Sequence, residues 1–173
     1  ERVAVVVGLG NPGKRYEGAR HNAGFQVADE LAHRFHIHLQ ERKFRASWGA
    51  GVIQGQRILI FKPLTYMNLS GEAVKEMLNY FGISSQRMLV IHDDLDLSCG
   101  RLKIARRGGA AGHRGVLSII EHLRNQDFPR LKLGVGRPLE REPVEAYVLQ
   151  KPYPHEAETF EEMLALGAEA VQT

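Results

Sequence analysis

A histidine, a run of acids and two asparagines carry most of the chemistry this sequence could perform. Arg20-His21-Asn22 falls where a loop meets an amphipathic segment. An imidazole has an unperturbed pKa of ~6.5 and can accept a proton at neutral pH. A general base of this kind supplies about 10²–10⁴ in rate. It needs an orienting partner on its other ring nitrogen. The run His92-Asp93-Asp94-Leu95-Asp96, placed after an apolar strand, offers one, and by pattern alone either Asp93 or Asp94 fits. Asn11 can donate and accept hydrogen bonds from a loop that also follows a strand, although Asn-Pro-Gly is good turn chemistry in its own right. In Thr65-Tyr66-Met67-Asn68-Leu69-Ser70-Gly71, Asn68 could be a cap or an oxyanion donor. Tyr66 could stack on a base or ribose, or pack in the core.

Other chemistries fit less well. Asp93, Asp94 and Asp96 could begin a divalent-cation site. No second acid-rich segment and no histidine pair at ligand spacing completes it, so no metal is expected. No Gly-x-Ser-x-Gly elbow is present, and Cys99 sits in a turn-like Ser-Cys-Gly. Water is the simplest nucleophile left.

These residues need strands and helices to bring them together. Val3 to Val7 is a β-branched run before glycine, which predicts a buried strand. Residues 22–35 have helical apolar spacing at Phe25, Ala28, Leu31, Ala32 and Phe35. Residues 44–53 and 57–62 read as strands joined by Gln54-Gly55-Gln56. Residues 70–80 read as a helix capped by Ser70 and stopped by Gly82. Further strands are expected at 88–92, 101–105 and 131–135, and helices at 115–123, 144–149 and from 155 to the end. The alternation predicts one α/β domain over residues 1–173. It is a three-layer sandwich with a mixed twisted sheet and helices on both faces.

Gly8-Leu9-Gly10-Asn11-Pro12-Gly13 satisfies the dinucleotide pattern Gly-x-Gly-x-x-Gly after a strand. That motif needs a helix to open within the glycines. Here Pro12 is followed by Lys-Arg-Tyr-Glu-Gly, without helical spacing. The acids about 20 residues on, Asp29 and Glu30, lie inside the next helix rather than ending a strand. No dinucleotide cofactor is expected, nor any other.

The 173 residues suit one core, and 43% apolar with 25% charged residues is ordinary for a globular chain. A net charge of +3 says little about partners, but its distribution says more. Arg101, Lys103, Arg106, Arg107 and Arg114 occur between Gly100 and Gly115 with no acid among them, and Arg130, Lys132 and Arg137 follow. These residues could grip phosphates or form a solvated strip. The single cysteine excludes an intrachain disulfide and favours a reducing compartment. No leader pattern precedes the first strand, and no apolar run approaches the ~20 residues of a membrane span. A cytoplasmic protein without membrane association is expected.

Four segments in order resemble bacterial-type peptidyl-tRNA hydrolase. They are Gly8-Leu-Gly-Asn-Pro-Gly-Lys-Arg-Tyr16, Arg20-His-Asn-Ala-Gly24, Thr65-Tyr-Met-Asn-Leu-Ser-Gly71 and His92-Asp-Asp-Leu-Asp-Leu97. The glycine-rich stretch to Gly115 and Phe128 to Gly136 extend the likeness over nearly the whole chain. The resemblance implies a monomer without an obligate protein partner. It implies hydrolysis of the ester joining a peptide to the 3′-terminal ribose of tRNA. It makes His21 the base, Asp93 its partner, and Asn11 the residue that tells blocked from free aminoacyl groups. Tyr16, Tyr66 and Asn68 match substrate-contacting positions, and Lys103, Arg106, Arg107, Arg130 and Lys132 would hold tRNA phosphates. In the family pattern Gly-Gly-His-Asn-Gly the Asn contacts substrate; the segment reads Ala111-Gly112-His113-Arg114-Gly115 here, so a charged donor replaces an amide, and Arg114 would bind a tRNA phosphate or ribose oxygen instead. Ala105 stands where the pattern often has Lys. Relatives usually continue past the position of Thr173, which predicts a shortened end. A non-catalytic RNA-binding relative of the same fold is the alternative.

Overall fold

The computed structural model describes residues 2–172. Six strands form one mixed sheet in the order β2-β3-β1-β4-β6-β5. Its centre is parallel: β1 (Val5–Gly8) lies between β3 (Gln56–Pro63) and β4 (Met88–Asp94), and β4 pairs with β6 (Arg130–Gly134). The outer strands β2 (Ala46–Ile53) and β5 (Leu102–Ala105) run antiparallel to their neighbours. β1 is wholly buried, as its unbroken valine run predicts for a central strand covered on both faces.

Helices cover the two faces. On one face, α1 (Ala23–Arg34) and α5 (Ala157–Val171) pack on Val6, Ile60, Leu89, Ile91, Leu131 and Leu133. On the other, α2 (Ser70–Phe81) and α3 (Arg114–Leu123) pack on Val5, Val7, Phe61, Met88 and Val90. The alternation of neighbours within each strand makes the two cores. The short α4 (Val144–Val148) lies beyond the end of β6 in the sequence.

Several local expectations shift. Phe44 and Arg45 have left-handed φ of 64° and 51°, so the chain turns there and β2 starts only at Ala46. Ser70 is the first residue of α2 rather than its cap. Its hydroxyl donates to the Met67 carbonyl at 2.8 Å. Gly82 does end α2, in the left-handed conformation at φ 65° that glycine adopts without strain. β4 runs two residues further than its apolar pattern suggests, so Asp93 lies in the strand and is paired with Leu133.

The order of the sheet explains where a site must form. From β1 the chain crosses over to β3 on one side. From β3 it crosses back to β4 on the other. The ends of β1 and β4 therefore open a crevice at a topological switch point. The first turn of α1 lies across this crevice at backbone contact. A Cβ on Gly24 would collide with the Ile91 carbonyl and with Leu9, and one on Gly8 would collide with the Gly24 carbonyl. The glycines at 8 and 24 thus let helix and strands approach closely enough to set His21 beside the end of β4.

Candidate active site

His21 lies in a short 3₁₀ turn, residues 20–22, that leads into α1. The turn is anchored by its neighbours. Arg20 is buried, donates to the Tyr147 carbonyl at 2.8 Å and stacks on the Tyr147 ring at 3.7 Å. Asn22 exchanges two hydrogen bonds with the backbone of Asn11, at 2.8 and 2.9 Å. These two bonds tie the glycine loop to the histidine turn.

The His21 Nδ1–H donates to the Asp93 carboxylate, 2.8 Å from Oδ2 and 3.0 Å from Oδ1. Asp93 is only 3% exposed, a buried charge that must be compensated. A second donor is His113 Nε2, 2.9 Å from Oδ1. The tautomer of His113 follows from its other nitrogen. His113 caps α3, and its Nδ1 accepts from the backbone N–H groups of Gly115 and Val116 at 3.1 and 3.2 Å. An acceptor nitrogen carries no proton, so the proton is on Nε2 and points at Asp93. His113 enters the site although only its place in the segment Ala111–Gly115 marks it in the sequence. No preference of N-caps suggests histidine, and no spacing links residues 21, 93 and 113.

Electrostatics follow from these contacts. Burial is the strongest influence on His21 and works against its charged form. The charge and hydrogen bond of Asp93 outweigh it, so the pKa is raised above 6.5, while the Arg114 cation opposes the rise. Burial alone would raise the Asp93 pKa, but the two histidines hold it well below the usual carboxylate range. His92 behaves in the opposite way. Burial, helped by His113, pushes its pKa down to about 3, and it stays neutral with Nδ1 donating to the Asp93 carbonyl at 2.7 Å.

Among the described residues, His21, Asp93 and His113 are also a group whose ligand atoms lie within 4.8 Å of one another. The ring nitrogens facing Asp93 serve as N–H donors, whereas a metal-bound imidazole nitrogen must be deprotonated. The donor set as arranged suits a hydrogen-bonded relay better than a cation.

Around His21 lies a cleft of two lobes. One is lined by Asn11, Tyr66, Met67 and Asn68. The other is lined by His92, Asp93, Asp94, the loop Gly109–Gly112, His113 and Lys132. His21, Arg114, Glu145 and Val148 border both. In the first lobe Asn11 Oδ1 accepts from the Met67 N–H at 2.8 Å, which turns its Nδ2 donors to the remaining side. Asn68 and Tyr66 are exposed on the same wall.

The family model for peptidyl-tRNA hydrolase matches residues 5–173. The chain belongs to the peptidyl-tRNA hydrolase family. Peptidyl-tRNA hydrolase of Shouchella clausii is 45% identical over 97% of this chain and 91% of its own length. That of Bacillus subtilis is 42% identical over 97% and 89%. The crystal structure of the Acinetobacter baumannii peptidyl-tRNA hydrolase superimposes with a TM-score of 0.93 at 34% identity, covering 98% of this chain and 87% of that one. The chain is accordingly a hydrolase with the α/β fold of that family.

The structure brings His21, Asp93, Asn11, Asn68, Tyr66, Arg114 and Lys132 to the cleft. Tyr16 is half-buried in a separate 3₁₀ turn beneath Arg15 and lines neither lobe. Lys103 is exposed on β5 directly across from Lys132, and Arg106 and Arg107 are exposed just beyond that strand. Arg130 corrects the expectation. Its side chain is buried, donates to the carbonyls of Gly109 and Gln126 at 2.7 and 3.1 Å, and covers the Phe128 ring. It has no surface to offer a phosphate, and instead pins the loop that carries His113. Of the acids beside Asp93, Asp94 caps a turn through the Asp96 N–H at 2.7 Å, and Asp96 pairs with Arg137.

Proposed function

We propose that this protein hydrolyses the ester between a peptide, or an N-blocked aminoacyl group, and the 3′-terminal ribose of tRNA, with His21 as general base. The His21–Asp93 hydrogen bond is the observation that carries the reading. It fixes the proton on Nδ1 and leaves Nε2, which has no protein partner among the described residues, to take a proton from water. The water's oxygen attacks the ester carbonyl, and the imidazolium then returns the proton to the departing ribose oxygen. The burial of Asp93 lets its charge stabilise that imidazolium without dilution by solvent.

Asn11 supplies selectivity in this account. With its oxygen occupied by the Met67 N–H, it presents an N–H to the carbonyl of the substrate's acylated amine. A free aminoacyl ester has no such carbonyl. In this reading Asn68 donates to the oxyanion and Tyr66 stacks on the acceptor end, while Lys103, Arg106, Arg107 and Lys132 provide positive surface for tRNA phosphates. The reading needs no metal, cofactor, membrane or second protein, and it suits a cytoplasmic monomer. No helix among the described residues is long and apolar enough to cross a membrane.

The test is release of N-acetyl-aminoacyl groups from tRNA, with and without EDTA, beside the same tRNA carrying a free aminoacyl group. Turnover of the blocked substrate alone, unchanged by EDTA, is the expected result. Tight tRNA binding without turnover would favour a non-catalytic RNA-binding role. Loss of activity in EDTA would return the histidine–aspartate cluster to consideration as a metal site.

A further inference from the structure

Burying Arg20 is costlier than packing alone requires. Its side chain is 1% exposed, and its guanidinium lies 3.7 Å from the centre of the Tyr147 ring and 4.5 Å from that of Tyr153. Nη1 donates to the Tyr147 carbonyl at 2.8 Å. Nη2 has no hydrogen-bond partner among the described residues, and neither has Glu156 Oε1, 3.9 Å from it. A buried cation bonded this sparsely is often no more stabilising than an apolar side chain of its size. Its contacts nevertheless close a ring around the base. Tyr147, held at its carbonyl by Arg20, donates its hydroxyl to the Val135 carbonyl at 2.6 Å. The Val135 N–H donates to the Asp94 carbonyl at 3.0 Å, and Asp94 adjoins Asp93, the partner of His21. The Arg20 backbone N–H adds a bond to the Gln150 carbonyl at 2.9 Å.

Building on the hydrolase reading, we propose that Arg20 is a positioning residue for His21: it ties the histidine turn to Tyr147 and, through Tyr147, to the ends of β4 and β6, and so holds Nδ1 on Asp93. The ring runs from His21 through Asp93, Asp94, Val135, Tyr147 and Arg20 back to His21. Opening it at Arg20 leaves the turn free to shift against β4. Misplacing a reacting group by about 1 Å can cost roughly a hundredfold in rate. Neither Arg20 nor Tyr147 lines a lobe of the cleft, so the effect reaches the reaction through His21. The rival reading is that Arg20 only supports α4, whose Glu145 and Val148 border both lobes, and that reading predicts a change in substrate binding instead.

Arg20→Met, Arg20→Lys and Tyr147→Phe test the proposal, by kinetics on N-acetyl-aminoacyl-tRNA below each melting transition and by NMR titration of the His21 ring. Methionine fills much of the space but donates nothing. Arg20→Met should lower kcat roughly 10–100-fold and leave KM within about threefold of wild type. The His21 pKa should fall, because burial, its largest influence, is then less well opposed by Asp93. The other groups that face His21, His113 and Arg114, remain in place, as does Glu145 at the edge of the cleft. Arg20→Lys keeps a donor and a cation over the rings and should recover part of both kcat and pKa. Tyr147→Phe deletes only the bond to Val135 and should move both quantities the same way by less. Added to Arg20→Met it should change little, since the ring is already open. An unmoved or raised His21 pKa in Arg20→Met would overturn the proposal, and the same result in Tyr147→Phe would do so if Arg20→Met does not fold. A loss confined to KM would also overturn it and leave Arg20 as a support of α4. The titration needs no turnover, so a wild type that fails to hydrolyse the substrate would defeat the hydrolase reading while the His21 pKa still decides the role of Arg20.

Discussion

Replacing His113 with alanine separates the support of the site from its chemistry. The imidazole does two jobs. Its Nδ1 caps two backbone amides of α3, and its Nε2–H holds the buried Asp93 charge at 2.9 Å. Losing a cap costs about 1 kcal/mol. Losing a hydrogen bond to a buried charge costs about 1.5–3 kcal/mol. The expected loss is therefore about 2.5–4 kcal/mol, or roughly 5–16 °C in melting temperature for a chain of this length. Catalysis should suffer less. His21 keeps both of its contacts to Asp93, so the rate below the melting transition should fall by less than about tenfold. Urea unfolding with a constant slope measures the first quantity, and turnover at 20 °C the second. The same substitution made in an Asp93→Ala background should cost only the capping part, about 1 kcal/mol, because the charge it served is gone. Equal costs in both backgrounds would refute the coupling between His113 and Asp93.

Two further predictions concern protons. The base must be neutral to act, and its pKa is raised by Asp93. The acid limb of kcat/KM should therefore have its midpoint above pH 6.5. In Asp93→Asn, burial is left as the dominant influence and the midpoint should move below 6.5, in a much slower enzyme; an unmoved limb would mean that another group titrates. The charged His21–Asp93 pair also stabilises the fold below pH 6.5, and that contribution is lost as pH rises through the raised value. His92 gives a slope of the opposite sign. Its folded pKa of about 3 lies below the unfolded 6.5, so the unfolded chain takes up the proton first as pH falls. Wild type should lose up to about 1.4 kcal/mol of stability per pH unit across that window relative to His92→Phe. Parallel stability curves between pH 6.5 and 4 would show that His92 does not titrate in this way.

The sheet and helices were legible because valine runs, helical spacing and Gly82 are local signals, and the structure follows them to within a few residues. Residue pattern also placed Asn11, His21 and Asp93 at element ends, where a crevice of an α/β sheet collects them. It could not choose Asp93 over Asp94. That choice depends on how far β4 continues, and the paired register with Leu133 decides it. The contacts of His113 were not legible, because they combine a helix cap with a bond to a residue 20 positions away. Arg130 misled because a basic residue beside Lys132 looks like surface. Burial under the loop at Gly109 is a tertiary fact with no trace in the local pattern.

His21→Ala tests the role of His21 as the base most directly. Turnover of N-acetyl-aminoacyl-tRNA under saturating substrate should fall by about 10²–10⁴-fold, with the melting transition retained and tRNA binding little changed. A variant that folds, binds tRNA and still turns over near the wild-type rate would contradict the mechanism, whichever other residues line the cleft.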